Sequence, residues 1–167
     1  MDIRWRPSSS PAAGQFCEID IGHGLFLRRP FSIAAYASGR VGILYRVVGK
    51  GTLLLSRKKK GEEIGVIGPL GKGFPSFPQG SRLWLVGGGT GIAPLLYLLA
   101  SRARAKGPAT LFYGARTACT LFRKIVPPGP CRQVFCTDDG SFGEAGRVSD
   151  IVAKRLAKDC PDAICAA

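Results

Sequence analysis

Four short stretches bring together residue types that can hold an anion. Gly87-Gly88-Gly89-Thr90-Gly91 follows an apolar run and precedes a leucine-rich segment. Glycines at a strand end let the backbone turn sharply and approach a diphosphate with no Cβ in the way. The helix start that follows offers unpaired N–H groups and the positive end of its dipole. Pro94 suits the first turn of that helix, where a missing N–H costs nothing. The spacing departs from the G-x-G-x-x-G fingerprint, and no acid stands at the expected distance. Its setting between strand and helix nevertheless favours phosphate binding over a plain tight turn.

The other three stretches are weaker on their own. In Arg29-Pro30-Phe31-Ser32-Ile33 an arginine offers a charged fork to phosphate oxygens, a serine adds a neutral hydrogen bond, and the aromatic between them can lie against a planar ring. By composition alone, a strand start preceded by a solvated arginine is the better reading. Arg46-Val47-Val48-Gly49-Lys50-Gly51-Thr52 precedes a short helical stretch at Leu53–Leu55. There Gly49, Gly51 and Thr52 either converge on an anion or form a strand-to-helix turn with Thr52 as N-cap. Gly68-Pro69-Leu70-Gly71-Lys72-Gly73-Phe74 is a turn-rich connector with no chemistry of its own.

The elements that would position these stretches fall into two textures. From Gln15 to about Gly68 the pattern is short and strand-like: Phe16–Ile21, Phe31–Ala37, Val41–Val48 and Glu62–Ile67, with Gly39-Arg40 as a hairpin turn. The first eleven residues, rich in Ser and Pro, read as a flexible or truncated start. Beyond Pro75–Gly80, strands (Arg82–Val86, Ala109–Tyr113, Val134–Thr137, Ala163–Cys165) alternate with helical segments (Ala93–Lys106, a weak one near Thr120–Ile125, and Arg147–Leu156). Alternation of this kind implies a parallel, doubly wound sheet. The expected division is 1–75 and 76–167.

Charge narrows the partners. The 167 residues hold 24 Lys and Arg against 11 Asp and Glu, a net charge of +13 that favours anionic partners. The one dense run, Arg57-Lys58-Lys59-Lys60, reads as a solvated loop or helix end. No interleaved aromatics, zinc-finger spacing or helix-turn-helix pattern supports nucleic-acid binding.

Six cysteines, at 17, 119, 131, 136, 160 and 165, include two pairs whose spacing resembles the start of a plant-type iron–sulfur pattern. Asp139 stands where a third ligand would be needed, so structural thiols are the better reading. His23, the lone histidine, reads as a turn residue. With no signal peptide and no apolar run of transmembrane length, the expectation is a cytoplasmic protein without membrane association.

Taken in order, the four stretches resemble the ferredoxin–NAD(P)+ reductase superfamily, and within it the electron-transfer subunits of class B dihydroorotate dehydrogenases. The matching segments are Gly14–Phe16, Arg28–Ile33, Tyr45–Thr52, Gly68–Phe74, Gly87–Pro94, Asp139–Gly143 and Gly146–Asp150, and the likeness runs roughly from 14 to 165. The resemblance implies an antiparallel flavin-binding β-barrel, here incomplete, followed by a doubly wound nicotinamide-binding α/β domain. It implies FAD held by Arg29, Pro30, Phe31, Ser32, Gly49, Gly51 and Thr52: Arg29 at the diphosphate, Ser32 at the flavin edge, Phe31 beside the isoalloxazine, Gly51 and Thr52 at the phosphates. It implies NAD(H) on Gly88, Gly89, Thr90, Gly91 and Pro94, with Asp139 near the adenosine end. A carboxylate there suits NAD, whereas Arg116 and Arg123 argue for NADP.

The function so implied is hydride transfer from NADH to FAD, then electron delivery to the catalytic flavoprotein subunit of a hetero-oligomer, in pyrimidine biosynthesis. The alternatives are a related reductase subunit of another redox complex, and a non-catalytic remnant that binds a partner or nucleotide. Relatives of this type are longer and continue through a Cys-Gly-Pro motif into a four-cysteine [2Fe–2S] module. Here Cys165 is followed by Ala166-Ala167, and the six cysteines do not supply that module's ligands. The expectation is therefore a chain shortened at both ends, without the cluster.

Overall fold

The computed structural model describes residues 1–22, 24–102, 107–126 and 131–167. His23 and the expected end of the helix at 103–106 lie outside the described residues. The chain divides into two compact units, Met1–Phe74 and Pro75–Ala167.

The first unit is an antiparallel sheet of β1 (Asp2–Arg4), β2 (Phe16–Asp20), β3 (Arg29–Ala37), β4 (Arg40–Ile43) and β5 (Gly65–Leu70), ordered β1-β4-β3-β2-β5. Alternate residues supply its core: Cys17 and Ile19, Phe31 and Ile33, Val41 and Ile43 are all buried, as the two-residue period of a strand requires. The β3–β4 hairpin turns at Ser38-Gly39, with φ of 50° and 70°, between the paired residues Ala37 and Arg40. That is the primed two-residue loop, one position earlier than the expected Gly39-Arg40.

Curling of the sheet is visible at its edges. A Cβ on Gly68 of β5 would lie 3.1 Å from the indole Cη2 of Trp5, just past β1, and 3.1 Å from the Cβ of Cys17. The indole at the end of one edge strand thus reaches the opposite edge strand, which gives a half-barrel. The start of the chain is accordingly not the flexible segment expected. Asp2–Arg4 pairs with β4, and Ile3 is 8% exposed; one buried side chain and an edge ladder order a stretch whose composition reads as loose. Helix α1 (Lys50–Arg57) completes this unit. It starts earlier than the expected Leu53, with Gly49 as N-cap. The basic run closes its far end, where Lys58 pairs with Glu62 at 3.2 Å.

The second unit contains β6 (Leu83–Gly88), α2 (Ile92–Ser101), β7 (Ala109–Ala115), β8 (Cys131–Thr137), β9 (Glu144–Ala145), α3 (Val148–Leu156) and β10 (Ala163–Ala166). The strands lie in the order β10-β6-β7-β8-β9, all parallel. On one face Trp84, Phe112, Val134 and Cys136 pack with Ile151 and Val152 of α3. On the other, Gly87 admits α2 so closely that a Cβ there would lie 3.1 Å from Leu95 Cδ1 and 3.2 Å from Ile92 Cα. Helices therefore cover both faces.

The weak helix expected near Thr120–Ile125 is instead two 3-10 turns, Ala118–Thr120 and Arg123–Ile125. Thr120 Oγ1 accepts from the Thr117 N–H and donates to the Thr117 carbonyl, the local bonding that competes with a helix ladder. Arg147, expected inside the last helix, is its N-cap. No helix among the described residues is long and apolar enough to cross a membrane.

Candidate cofactor-binding sites

In the first unit, two of the sequence motifs meet. Gly51 is the second residue of α1 and is buried; a Cβ on it would lie 3.2 Å from Arg29 Nε and 3.3 Å from Ile21 Cδ1. Glycine is what lets the guanidinium at the start of β3 lie against the first turn of α1. Arg29 Nη1 donates to the carbonyl of Leu27 at 2.6 Å and, more loosely, of Arg28 at 3.3 Å, which steadies the side chain.

The electrostatics of this arrangement are incomplete within the chain. A helix N-terminus carries the positive end of the dipole and favours a negative neighbour. Here the first turn has no acid, holds Lys50, and faces Arg29, for which no carboxylate partner occurs among the described residues. Two cations beside a positive helix end repel unless an anion lies among them. The donor set suits a phosphate group, so the residues fit the FAD diphosphate.

Thr52 does not take the capping role that one of its two sequence readings gave it. It is not the N-cap; its Oγ1 accepts from the N–H groups of Val48 (3.0 Å) and Gly49 (3.2 Å) and donates to the Gly49 carbonyl. The hydroxyl shapes the helix entry, leaving the backbone N–H of the first turn for an anion. Phe31 is 8% exposed, with its ring edge-on to Tyr45 at 5.6 Å between centroids. Pro30 is exposed and Ser32 half-buried on the other side of β3. Tyr45, whose hydroxyl is pushed up in pKa by burial, is thus a neighbour of Phe31 to which the residue types alone assign nothing.

In the second unit the glycines of the turn divide into two kinds. Gly87 and Gly91 are required by the chain itself: the first admits α2, and a Cβ on Gly91 would fall 2.4 Å from the carbonyl carbon and oxygen of Ala167. The end of β10 thus lies against the turn, held by the Gly88 N–H donating to the Ala167 carbonyl (3.2 Å) and the Ala167 N–H donating to the Val86 carbonyl (3.0 Å). Gly88 and Gly89 have open space where a Cβ would go. Gly89 needs glycine for its φ of 56°. Gly88 has φ −112° and ψ 123°, a conformation open to any residue, and it is exposed. Nothing packed inside the chain asks for glycine there.

This turn sits where the strand order reverses, between β10 and β6, at the carboxyl ends of the strands. That is the crevice where open α/β sheets take ligands. Thr90 lies in the turn and Pro94 is buried in the first turn of α2. Asp139 lies beyond the end of β8 on the same carboxyl edge. Its Oδ1 accepts from the Ser141 hydroxyl (2.6 Å) and N–H (3.0 Å), and the hydroxyl bond is foremost in holding this carboxyl below its ordinary pKa. Ser141 Oγ in turn accepts from the Ala118 N–H at 2.8 Å, tying the loops after β7 and β8. Arg116 is exposed on this edge, while Arg123 stacks over Phe142 at 4.0 Å.

The six cysteines are unpaired. Burial pushes the Cys17 thiol up to about 11. Burial, reinforced by Glu144 and Asp138, takes Cys136 to about 11 as well. Protonated, buried thiols pack as small apolar groups. Among the described residues no three His, Cys, Asp or Glu side chains group as a metal ion would require.

Residues 85–165 match the oxidoreductase NAD-binding domain family. The chain is 38% identical over 148 residues to the electron transfer subunit of dihydroorotate dehydrogenase B (NAD(+)) of Geobacillus thermodenitrificans, covering 85% of this chain and 58% of the relative. It is 40% identical over 149 residues to the subunit of the same name from Bacillus caldolyticus, covering 85% and 58%. This chain thus spans somewhat more than half the length of these relatives.

Among solved structures, an NADH-dependent reduced ferredoxin–NADP oxidoreductase described for flavin-based electron bifurcation superposes with a TM-score of 0.74 at 32% identity, covering 93% of this chain and 58% of that one. The ferredoxin reductase of carbazole 1,9a-dioxygenase shares the fold, with a TM-score of 0.81 at 24% identity over 94% of this chain and 52% of that one.

Proposed function

This chain belongs to the ferredoxin–NAD(P)+ reductase superfamily, and from that membership we propose that it is the cofactor-binding part of an electron-transfer subunit. It takes hydride from NADH onto FAD and passes electrons to a partner flavoenzyme, the dihydroorotate-oxidising subunit of a hetero-oligomer in pyrimidine synthesis. The observation that carries the reading is Gly88, an exposed glycine in ordinary extended conformation that no packing within the chain explains. The cation-lined start of α1 is its counterpart for the flavin.

FAD and NADH supply the redox chemistry when bound; the chain's part is binding, orientation and electrostatics. Arg29 and the first-turn amides of α1 neutralise and orient the FAD diphosphate. Of the β3 residues expected at the flavin, Pro30 and Ser32 share the more open side of the strand, and Phe31 packs behind them in the sheet's core. Gly88 to Gly91 admit the nicotinamide dinucleotide's diphosphate to the backbone, with Pro94 fixing the start of α2. Asp139 stands at the adenosine side, where a carboxylate suits NAD, and Arg116, exposed on the same edge, is the residue that would favour NADP. The division of labour is FAD on 1–75 and NAD on 76–167.

A second reading, the reductase subunit of a different redox complex, draws on the 32% identity to the NADH-dependent ferredoxin–NADP oxidoreductase. The deciding experiment is the visible spectrum of the purified protein with added FAD, before and after anaerobic NADH. A protein-bound flavin band that bleaches supports the proposal, and addition of the dihydroorotate-oxidising subunit then separates the two readings. Failure to retain flavin would overturn the catalytic reading and leave a nucleotide- or partner-binding role.

A further inference from the structure

Tyr113 is fully buried in the middle of the second unit's sheet, opposite Gly87 in the β6–β7 register, with its ring edge-on to Phe135 at 6.3 Å. By residue type it is a core aromatic. Its hydroxyl, however, donates to the Gly89 carbonyl at 3.0 Å and accepts from the Phe122 N–H at 3.2 Å. Both partners belong to segments that follow the carboxyl ends of strands: the glycine turn after β6 and the 3-10 turn region after β7.

We propose that Tyr113 is the positioning residue for the dinucleotide turn, setting which way the Gly89–Thr90 peptide faces. In a trans peptide the C=O and the following N–H point to opposite sides of the chain. With the Gly89 carbonyl drawn inward to a buried phenol, the Thr90 N–H is turned away from the sheet, toward the open side of the turn, where a phosphate oxygen can accept from it. Gly89 needs such a restraint. Its φ of 56° lies in a region where glycine interconverts easily, and no side chain of its own packs to prevent the peptide from flipping. The same hydroxyl ties the turn to Phe122, so the loop after β7 and the glycine turn share one anchor.

This inference rests on the nucleotide reading above, and the test separates the two. Tyr113→Phe keeps the ring and its packing and removes only the hydroxyl. NADH and ADP-ribose affinities are measured by titration on wild type and variant, together with FAD content and thermal unfolding followed by circular dichroism. The expected result is about tenfold weaker binding of both ligands, the loss of one aligned donor to a charged group. In turnover the loss falls on KM for NADH rather than on kcat, and FAD content stays unchanged. Amide NMR should show altered Thr90 and Phe122 signals without a general loss of dispersion. Equal NADH and ADP-ribose affinities in wild type and Tyr113→Phe would overturn this inference alone. Equal loss of FAD and NADH would also overturn it, by showing a general structural role. A wild type that binds neither ligand would overturn the nucleotide reading and this inference with it.

Discussion

On the proposed function the two units meet the same task, holding a diphosphate, with opposite means. The first uses charge: a guanidinium lies against a helix start that has a lysine and no acid in its first turn. The second uses the absence of side chains: two glycines with open space beside them in a backbone turn. The contrast teaches that an anion site is legible in two ways, as a surplus of like charge that the chain leaves uncompensated, or as a glycine that the chain itself does not need.

The sharpest way to break this comparison is to add a side chain where the second unit has none. A Cβ at Gly88 meets no protein atom within 4 Å, so Gly88→Val should leave unfolding little changed. NADH binding should fall by about a hundredfold or more, roughly 2.7 kcal/mol, as read by titration; unchanged binding would remove the dinucleotide from this turn. Next in size, Arg29→Ala should weaken FAD retention by ~1.5–3 kcal/mol, the usual worth of a hydrogen bond to a charged group, while sparing NADH. Retention measured by ultrafiltration at wild-type level would free Arg29 from the role.

Smaller still is a difference in salt response. Raising ionic strength should weaken FAD binding several-fold and NADH binding less, because the first site sets a guanidinium and a lysine beside its phosphate-binding turn whereas the glycine turn of the second presents backbone N–H groups. Parallel salt slopes in the two titrations would erase the distinction drawn here. The smallest effect concerns stability. Cys17 and Cys136, one in each unit, have thiols raised from an ordinary 9.0 to about 11. A raised folded-state value means that the folded chain holds its proton longer than the unfolded one. The stability linked to these thiols is therefore intact below about pH 9 and lost progressively as pH rises through about 11. Denaturant melts at pH 8 and pH 10.5 should show this decline. It should shrink in Cys17→Ala for the first unit and in Cys136→Ala for the second.

Much of this was legible in the sequence because it depends on local pattern. The glycine turn is flanked by an apolar strand and a leucine-rich helix, and the alternation of strands and helices after Pro75 carries the parallel sheet. Elsewhere a tertiary partner decides. Asp2–Arg4 is a strand only because β4 offers an edge and Ile3 a buried place. Thr52 looks like a phosphate ligand or an N-cap, and only the path of the chain at Val48 and Gly49 shows that its hydroxyl braces the helix entry. Asp139 reads as a nucleotide carboxylate, and only the folded loop shows that the Ser141 hydroxyl and N–H fix the placement of its Oδ1. Tyr113 is silent in sequence, since a tyrosine in an apolar run looks like packing, and its function lies in where one oxygen ends up. Proximity of Gly51 to Arg29 is likewise invisible across 22 positions of chain.

The indole that reaches Gly68 has a practical consequence. The chain has two tryptophans, and they fall one to each unit: Trp5 spans the edges of the half-barrel, and Trp84 is sealed under α3 at 3% exposure. Each unit thus carries a single tryptophan, selectively excited at the red edge, at a position that loses its surroundings when that unit opens. Replacing Trp5 with Phe leaves emission from the second unit alone, and replacing Trp84 leaves the first. The melting of either half can then be followed by itself, in an otherwise unlabelled protein, whichever cofactor is bound.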